Sequence, residues 1–245
     1  MKRPDVIQLR QFYSSALGRK VKQRLRQIVF EAWGEHDDET IIGIGYATPL
    51  LRVLERAGGK PASLAAAMPA RQGAIYWPVH ADNRSFLADE LSLPLGDNTV
   101  HRLLMLHAFE HCKEPDKLLD ECYRILVPGG RLLLIVPNRR GIWQSLGDTP
   151  YTTGTPYRLS QLKHLMGEAE FTIRESRSVL FTLPFAHPLL LRTWELWERL
   201  FGLIWWGMGG VVVLEVEKQI YAAIPEPVLK KAPQKAWVGE VAPAG

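Results

Sequence analysis

Cysteine is scarce in this chain, with only Cys112 and Cys122 among 245 residues. Two thiols so placed give neither the paired spacing of a metal centre nor a disulfide framework, so the fold must rest on an ordinary apolar core and no metal site is expected. Long apolar runs are missing as well. The longest uncharged stretch, residues 200–214, is broken by Gly202, Gly207, Gly209 and Gly210 and falls short of the roughly 20 apolar residues that a spanning helix needs. The opening MKRPDVIQLR lacks the apolar core of a secretory signal, so a cytoplasmic location is expected. A strong charge of one sign is also absent, the net value being +4. The cationic residues Arg19, Lys20, Lys22, Arg24 and Arg26 do crowd one segment. Val21, Leu25, Ile28 and Val29 fill the opposite side of the same helical spacing, which reads as the solvated face of an amphipathic helix and disfavours nucleic acid as a partner.

What is present is enough apolar content, 47%, for one substantial core. Residues 1–37 are expected to form an N-terminal helical extension, with helical spacing from about Val6 to Trp33 interrupted at Gly18. Residues 38–224 form the main domain, and the Pro-, Ala- and Lys-rich residues 225–245 a flexible tail.

Within the main domain, residues 40–45 read as a buried strand entering a tight turn, followed by a helix from Pro49 that Gly58-Gly59 ends. Strands are expected near 62–68, just before Asp89, at 100–107, at 131–137, at 171–180 and at 211–221. Helices are expected from Pro115, from a cap at Ser160, and over about 189–204. In the last of these, Leu191, Trp194, Leu196, Trp197, Leu200, Phe201 and Leu203 cover so much of the circumference that most should lie against the sheet or over a pocket. Alternating strands and helices imply a mostly parallel sheet of seven strands covered on both faces, and such sheets bind ligands beyond the strands' carboxyl ends.

The turn Gly43-Ile44-Gly45-Tyr46-Ala47-Thr48 follows the first strand and would let backbone approach a nucleotide. A dinucleotide fingerprint requires a third glycine where Thr48 stands, and an acidic residue about 20 positions on where Ala65–Pro69 stand; an NAD-dependent dehydrogenase is therefore disfavoured. Residues 87–138 are more specific. Asp89, Leu93-Pro94, Asp97-Asn98-Thr99, Phe109-Glu110-His111 and Pro128-Gly129-Gly130 follow one another in an order that resembles the class I S-adenosylmethionine-dependent methyltransferases of small-molecule type, and the likeness extends over about residues 38–180.

The resemblance implies a Rossmann-like α/β fold, S-adenosylmethionine as cofactor and methyl transfer to a small-molecule acceptor. Carried over position by position, it implies that Gly43, Gly45, Tyr46, Ala47, Met68, Asp89, Glu90, Leu91 and His107 surround the cofactor, with Asp89 accepting from the adenine amine. His107 is the candidate base toward the acceptor. Tyr13, with Phe12 beside it, His111, Asn138 and Tyr157 are candidates for the acceptor pocket. The chain departs from the family in its first motif, where Gly43 replaces an acidic residue and only Gly45 keeps a motif glycine, and again near Met68, where the ribose carboxylate is lost. Each absent charged hydrogen bond is worth about 1.5–3 kcal/mol, so a non-catalytic binding or scaffold protein with the same fold is the rival expectation. A homodimer through the C-terminal strand and Trp-rich helix, and a peripheral membrane contact by that helix, stay open as partners.

Overall fold

The structure is a computed structural model that describes residues 3–34, 37–56, 61–204 and 207–219. Seven strands, β1 (Thr40–Gly45), β2 (Ser63–Pro69), β3 (Ser85–Ala88), β4 (Val100–Leu106), β5 (Leu126–Pro137), β6 (Phe171–Val179) and β7 (Val211–Lys218), form one sheet in the order β3-β2-β1-β4-β5-β7-β6. The first five run parallel, and β7 lies antiparallel between β5 and β6. This is the doubly wound sheet that the strand and helix alternation predicts. It reverses direction between β1 and β4, which is where such sheets open a crevice.

Both faces of the sheet are covered, and strand periodicity decides which side chain goes where. Ile41, Leu104, Leu106, Leu133 and Ile135 point into one apolar core, while Ile42, Ile44, Leu103, Met105, Leu132 and Leu134 point into the other. The first core is closed by α1 (Val6–Ser14), α2 (Ala16–Trp33) and α3 (Thr48–Arg56), the second by α4 (Pro115–Ile125) and α5 (Leu159–Glu168). The N-terminal helices are thus integral to the core, with Leu9, Val21, Leu25 and Ile28 fully buried.

Several boundaries differ from the sequence reading. The break expected at Gly18 falls at Ser15, whose hydroxyl caps α2 by accepting from Gly18 N at 3.0 Å. Gly18 sits inside α2 because any Cβ there would run into the Phe12 carbonyl. Ser160 is not a cap: α5 starts one residue earlier, and Arg158 N donates to the Gln161 side chain at 2.9 Å. Pro128-Gly129-Gly130 lies within the long β5, with Gly129 at φ +77. The Gly58-Gly59 stop, the last residues of the 211–221 strand and the tail lie outside the described residues.

The single helix expected over 189–204 is two, α6 (Pro188–Arg192) and α7 (Trp194–Ile204), joined at Thr193. Of the side chains expected to pack, Trp194 is buried and Leu191 meets the first core, whereas Leu196, Leu200 and Leu203 of α7 are exposed. The cause is Glu198, whose buried carboxylate accepts from Leu180 N and Phe181 N at 2.7 Å and from Thr182 N at 3.2 Å. Those bonds turn the acidic side of α7 toward the protein and its leucines away from it.

Candidate functional site

The carboxyl ends of β1, β2, β3 and β4 form one rim of the sheet. Gly45 ends β1 at φ +80, a left-handed conformation that favours glycine, and a Cβ there would strike the Leu106 carbonyl and lie 2.9 Å from Ala108 Cβ. Tyr46 N donates to that same carbonyl at 2.8 Å, fastening the turn to β4. Asp89 follows β3, two strands from β1 and hence about 10 Å away across the sheet, and its Oδ1 accepts from Leu91 N at 3.0 Å. Gly45, Asp89 and His107 therefore share one rim, as the sequence order predicts.

The space between them holds side chains that the sequence does not single out. Arg3 reaches over the rim, with its guanidinium paired in bidentate fashion to Glu90 at 2.8 and 2.9 Å and donating to Ala108 O at 3.2 Å. Arg3 thus spans from the residue after Asp89 to the strand end beside Gly45. Tyr13 stacks on the buried Tyr46 with ring centroids 5.7 Å apart.

Beneath Tyr13 lies a buried polar chain. His107, fully buried at φ 53, has Nε2 2.8 Å from the Tyr13 hydroxyl and Nδ1 3.1 Å from Glu110 Oε1. The Tyr13 hydroxyl lies 2.7 Å from that of Tyr151. Burial pushes the Glu110 carboxyl up, but the His107 hydrogen bond and charge outweigh it and hold the group below the ordinary carboxylate value. An ionised Glu110 accepts from His107 Nδ1–H. Burial raises Tyr13 and Tyr151 and lifts Tyr46 to about 12, so these hydroxyls stay protonated at neutral pH. Burial also pushes His111 down to about 4.

The remaining candidates are packed differently. A side chain at Gly43 would meet Ala47 Cβ and Leu51 Cδ1 at 2.7 Å, so the position of the missing acidic residue is closed by α3 rather than left vacant. Ala47 and Met68 belong to the first apolar core. Glu90 pairs with Arg3, and Leu91 packs at the edge of the second core. Asn138 Nδ2 donates to Gly207 O and Gly209 O, and its Oδ1 accepts from Arg140 N. Tyr157 packs on Phe109 in the second core. Neither Asn138 nor Tyr157 joins the Tyr13–His107 chain. A separate cleft of about 540 Å³ opens beside it, lined by Gln8, Phe12, Asp148, Thr149, Pro150 and Pro184 among others.

Arg3, Gln72, Glu110 and Tyr151 escape the sequence reading as site residues. Glu110 alone carries a local signal, three positions after His107; the others arrive from distant segments. Arg3 Nε, Gln72 Oε1, Glu110 Oε2 and His111 Nε2 are buried atoms with no hydrogen-bond partner among the described residues. All four lie along this rim, and such atoms cost about 1–3 kcal/mol each if left unmet. They supply hydrogen-bonding capacity that a polar ligand such as a nucleoside-bearing cofactor can use, provided Arg3 swings aside from the turn at Gly45.

Residues 39–134 match the family described as a methyltransferase domain. A malonyl-[acyl-carrier protein] O-methyltransferase of Methylococcus capsulatus is 41% identical over 46 residues, 19% of this chain and 17% of that protein; the match thus spans less than a fifth of the relative. A possible histamine N-methyltransferase from Thermotoga maritima superposes with TM-score 0.58 at 18% identity, over 87% of this chain and 96% of that one. Geranyl diphosphate C-methyltransferase from Streptomyces coelicolor, in complex with S-adenosyl-L-homocysteine, superposes with TM-score 0.56 at 15% identity, over 82% and 80%.

Proposed function

We propose that this chain, a member of the class I S-adenosylmethionine-dependent methyltransferase family, binds S-adenosylmethionine across the ends of β1–β4 and transfers its methyl group to a small-molecule acceptor. The observation that carries the reading is the Gly45 turn, held against the Leu106 carbonyl on the same rim as Asp89. Bound there, the cofactor supplies a methyl group already activated on a sulfonium. The protein's part is chiefly positioning and the exclusion of water.

In this reading Gly45 and Tyr46 present backbone to the methionine portion, over a floor of Gly43, Ala47 and Met68. Asp89 accepts from the adenine amine, with Glu90 and Leu91 beside the ring. His107, its ring oriented by Glu110 at Nδ1, is the candidate base toward an acceptor group once Tyr13 yields its place. Tyr13 and His111 border the acceptor. The positions of Asn138 and Tyr157, bonded or packed elsewhere, suit support of the surrounding loops.

Calorimetric titration with S-adenosylmethionine and S-adenosylhomocysteine tests the proposal. Wild type should bind with a Kd in the micromolar range, and Asp89→Ala should bind at least about tenfold more weakly, the loss of one charged hydrogen bond. A second reading, a non-catalytic binding or scaffold protein on the same fold, draws support from Arg3, Tyr13 and Tyr46, which together cover the turn. Folded wild type that takes up neither compound decides for it.

A further inference from the structure

The outer face of α6 and α7 is apolar where a surface helix is ordinarily polar. Leu203 is 83% exposed, Ile204 69%, Leu189 63% and Leu196 55%, with Leu200 on the same stripe. Residues 196, 200 and 203 recur at helical spacing, so they make one continuous ridge. This ridge is not a helix turned the wrong way by loose packing. Trp194 is buried against Trp143 at 6.4 Å between centroids, and Glu198 is bonded to three successive backbone amides, so the inward face is fixed by specific partners. In sequence the ridge runs directly into Trp205 and Trp206.

Its border is cationic. Arg192 and Arg199 are exposed on α6 and α7, and Arg24 of α2 lines the cleft that Arg199 and Leu203 also line. Lys20 lies one turn before Arg24 on the same side of α2, a helix whose sequence carries five basic residues before its only acidic one, Glu31. On the α7 surface Glu195 offsets them, and Glu198, although bonded inward, lies 3.9 Å from Arg24 Nε, which leaves Arg192 and Arg199 as the outward charges of α6 and α7.

We infer that this face docks on an anionic lipid surface, with the leucine ridge inserted among the acyl chains just below the headgroups and Lys20, Arg24, Arg192 and Arg199 at the level of the lipid phosphates. Protruding aliphatic side chains backed by arginine suit a fluid bilayer that closes around them. No helix among the described residues is long and apolar enough to cross a membrane, so the contact lies in the plane of the interface. It is independent of cofactor binding and brings the cleft beside Phe12 close to the membrane, because Pro184 and Ala186 of that cleft lie just before α6.

Co-sedimentation of the full chain with phosphatidylcholine vesicles, with and without one quarter phosphatidylglycerol, provides the test. Wild type should pellet with the anionic vesicles at low salt and be released by high salt or by omission of the anionic lipid. Leu200→Glu/Leu203→Glu should lower the partition coefficient by at least about tenfold, from the loss of two inserted side chains. Arg192→Gln/Arg199→Gln should lower it by roughly five- to twentyfold, in proportion to the charges removed. Circular dichroism and unaltered cofactor titration identify variants that remain folded. Wild type that stays in the supernatant at low salt overturns the inference. So does a wild-type dimer by light scattering that the double glutamate variant converts to monomer, because the ridge is then covered by a second copy.

Discussion

His107 Nε2 lies 2.8 Å from the hydroxyl of Tyr13, joining the end of β4 to α1 through a bond that neither residue's neighbours in sequence announce. The same hydroxyl lies 2.7 Å from that of Tyr151, so Tyr13 is the middle of a buried chain. Tyr13→Phe removes one oxygen and strands two partners in a site without solvent. The cost should be about 1–3 kcal/mol, read as a lower urea midpoint with an unchanged slope. A second substitution, Tyr151→Phe, should add much less than its own single effect, because its partner is already gone. Strict additivity would show that the chain is not a unit.

The sheet and most helices were legible because periodicity and punctuation report them directly. The uniformly apolar β5, the Pro115 start of α4 and the Gly45 turn needed no tertiary information. The rim was legible too, since Gly45, Asp89 and His107 each follow a strand that the pattern locates. What covers the rim was not. Arg3 meets Glu90 across a sequence separation of 87, and a lone arginine near a terminus carries no local signal. The outward turn of α7 was equally hidden, because hydrophobic spacing identifies an apolar face but not which way a buried carboxylate will rotate it.

Gly43 was read as a lost acidic residue, and the geometry gives that loss a consequence. Because Ala47 and Leu51 of the following turn and helix have closed in to 2.7 Å from where a Cβ would sit, Gly43→Asp should not restore a working motif. It should destabilise the fold by about 1–3 kcal/mol through overpacking. Adding Ala47→Gly opens one side of the clash, so the pair should regain part of that stability and bind S-adenosylmethionine more tightly than wild type. Thermal denaturation and calorimetry check the two halves separately. A fully stable Gly43→Asp single variant would mean that α3 adapts at no cost.

Arg3 and the cofactor claim the same ground in the proposed function. Its pair with Glu90 is only partly exposed, the side chains being 11% and 13% accessible, and it lies between the exposed Asp89 and the strand end beside Gly45, where the proposed cofactor would pass. Arg3→Ala should therefore tighten S-adenosylmethionine binding by about fivefold, roughly the 1 kcal/mol of a partly shielded ion pair. The melting temperature should fall at the same time, since Glu90 loses its counter-ion. A weaker or unchanged Kd would place Arg3 outside the path of the ligand.

His111 sets the pH dependence of stability. Burial holds it at about 4 in the folded chain against an ordinary 6.5, so between those values the unfolded chain binds a proton that the folded one refuses. The stability linked to this group is complete above pH 6.5 and is lost as pH falls toward 4. Solvent reaches part of the ring, which limits the effect to about 1–2 kcal/mol rather than the larger figure the full shift implies. Glu110, held below its ordinary value, works in the same sense but at a lower pH, so the interval from pH 7 to 5 isolates the histidine. Urea unfolding across that interval should show wild type losing stability steadily while His111→Gln stays nearly flat. Equal slopes for the two proteins would assign the acid sensitivity to the carboxylates instead.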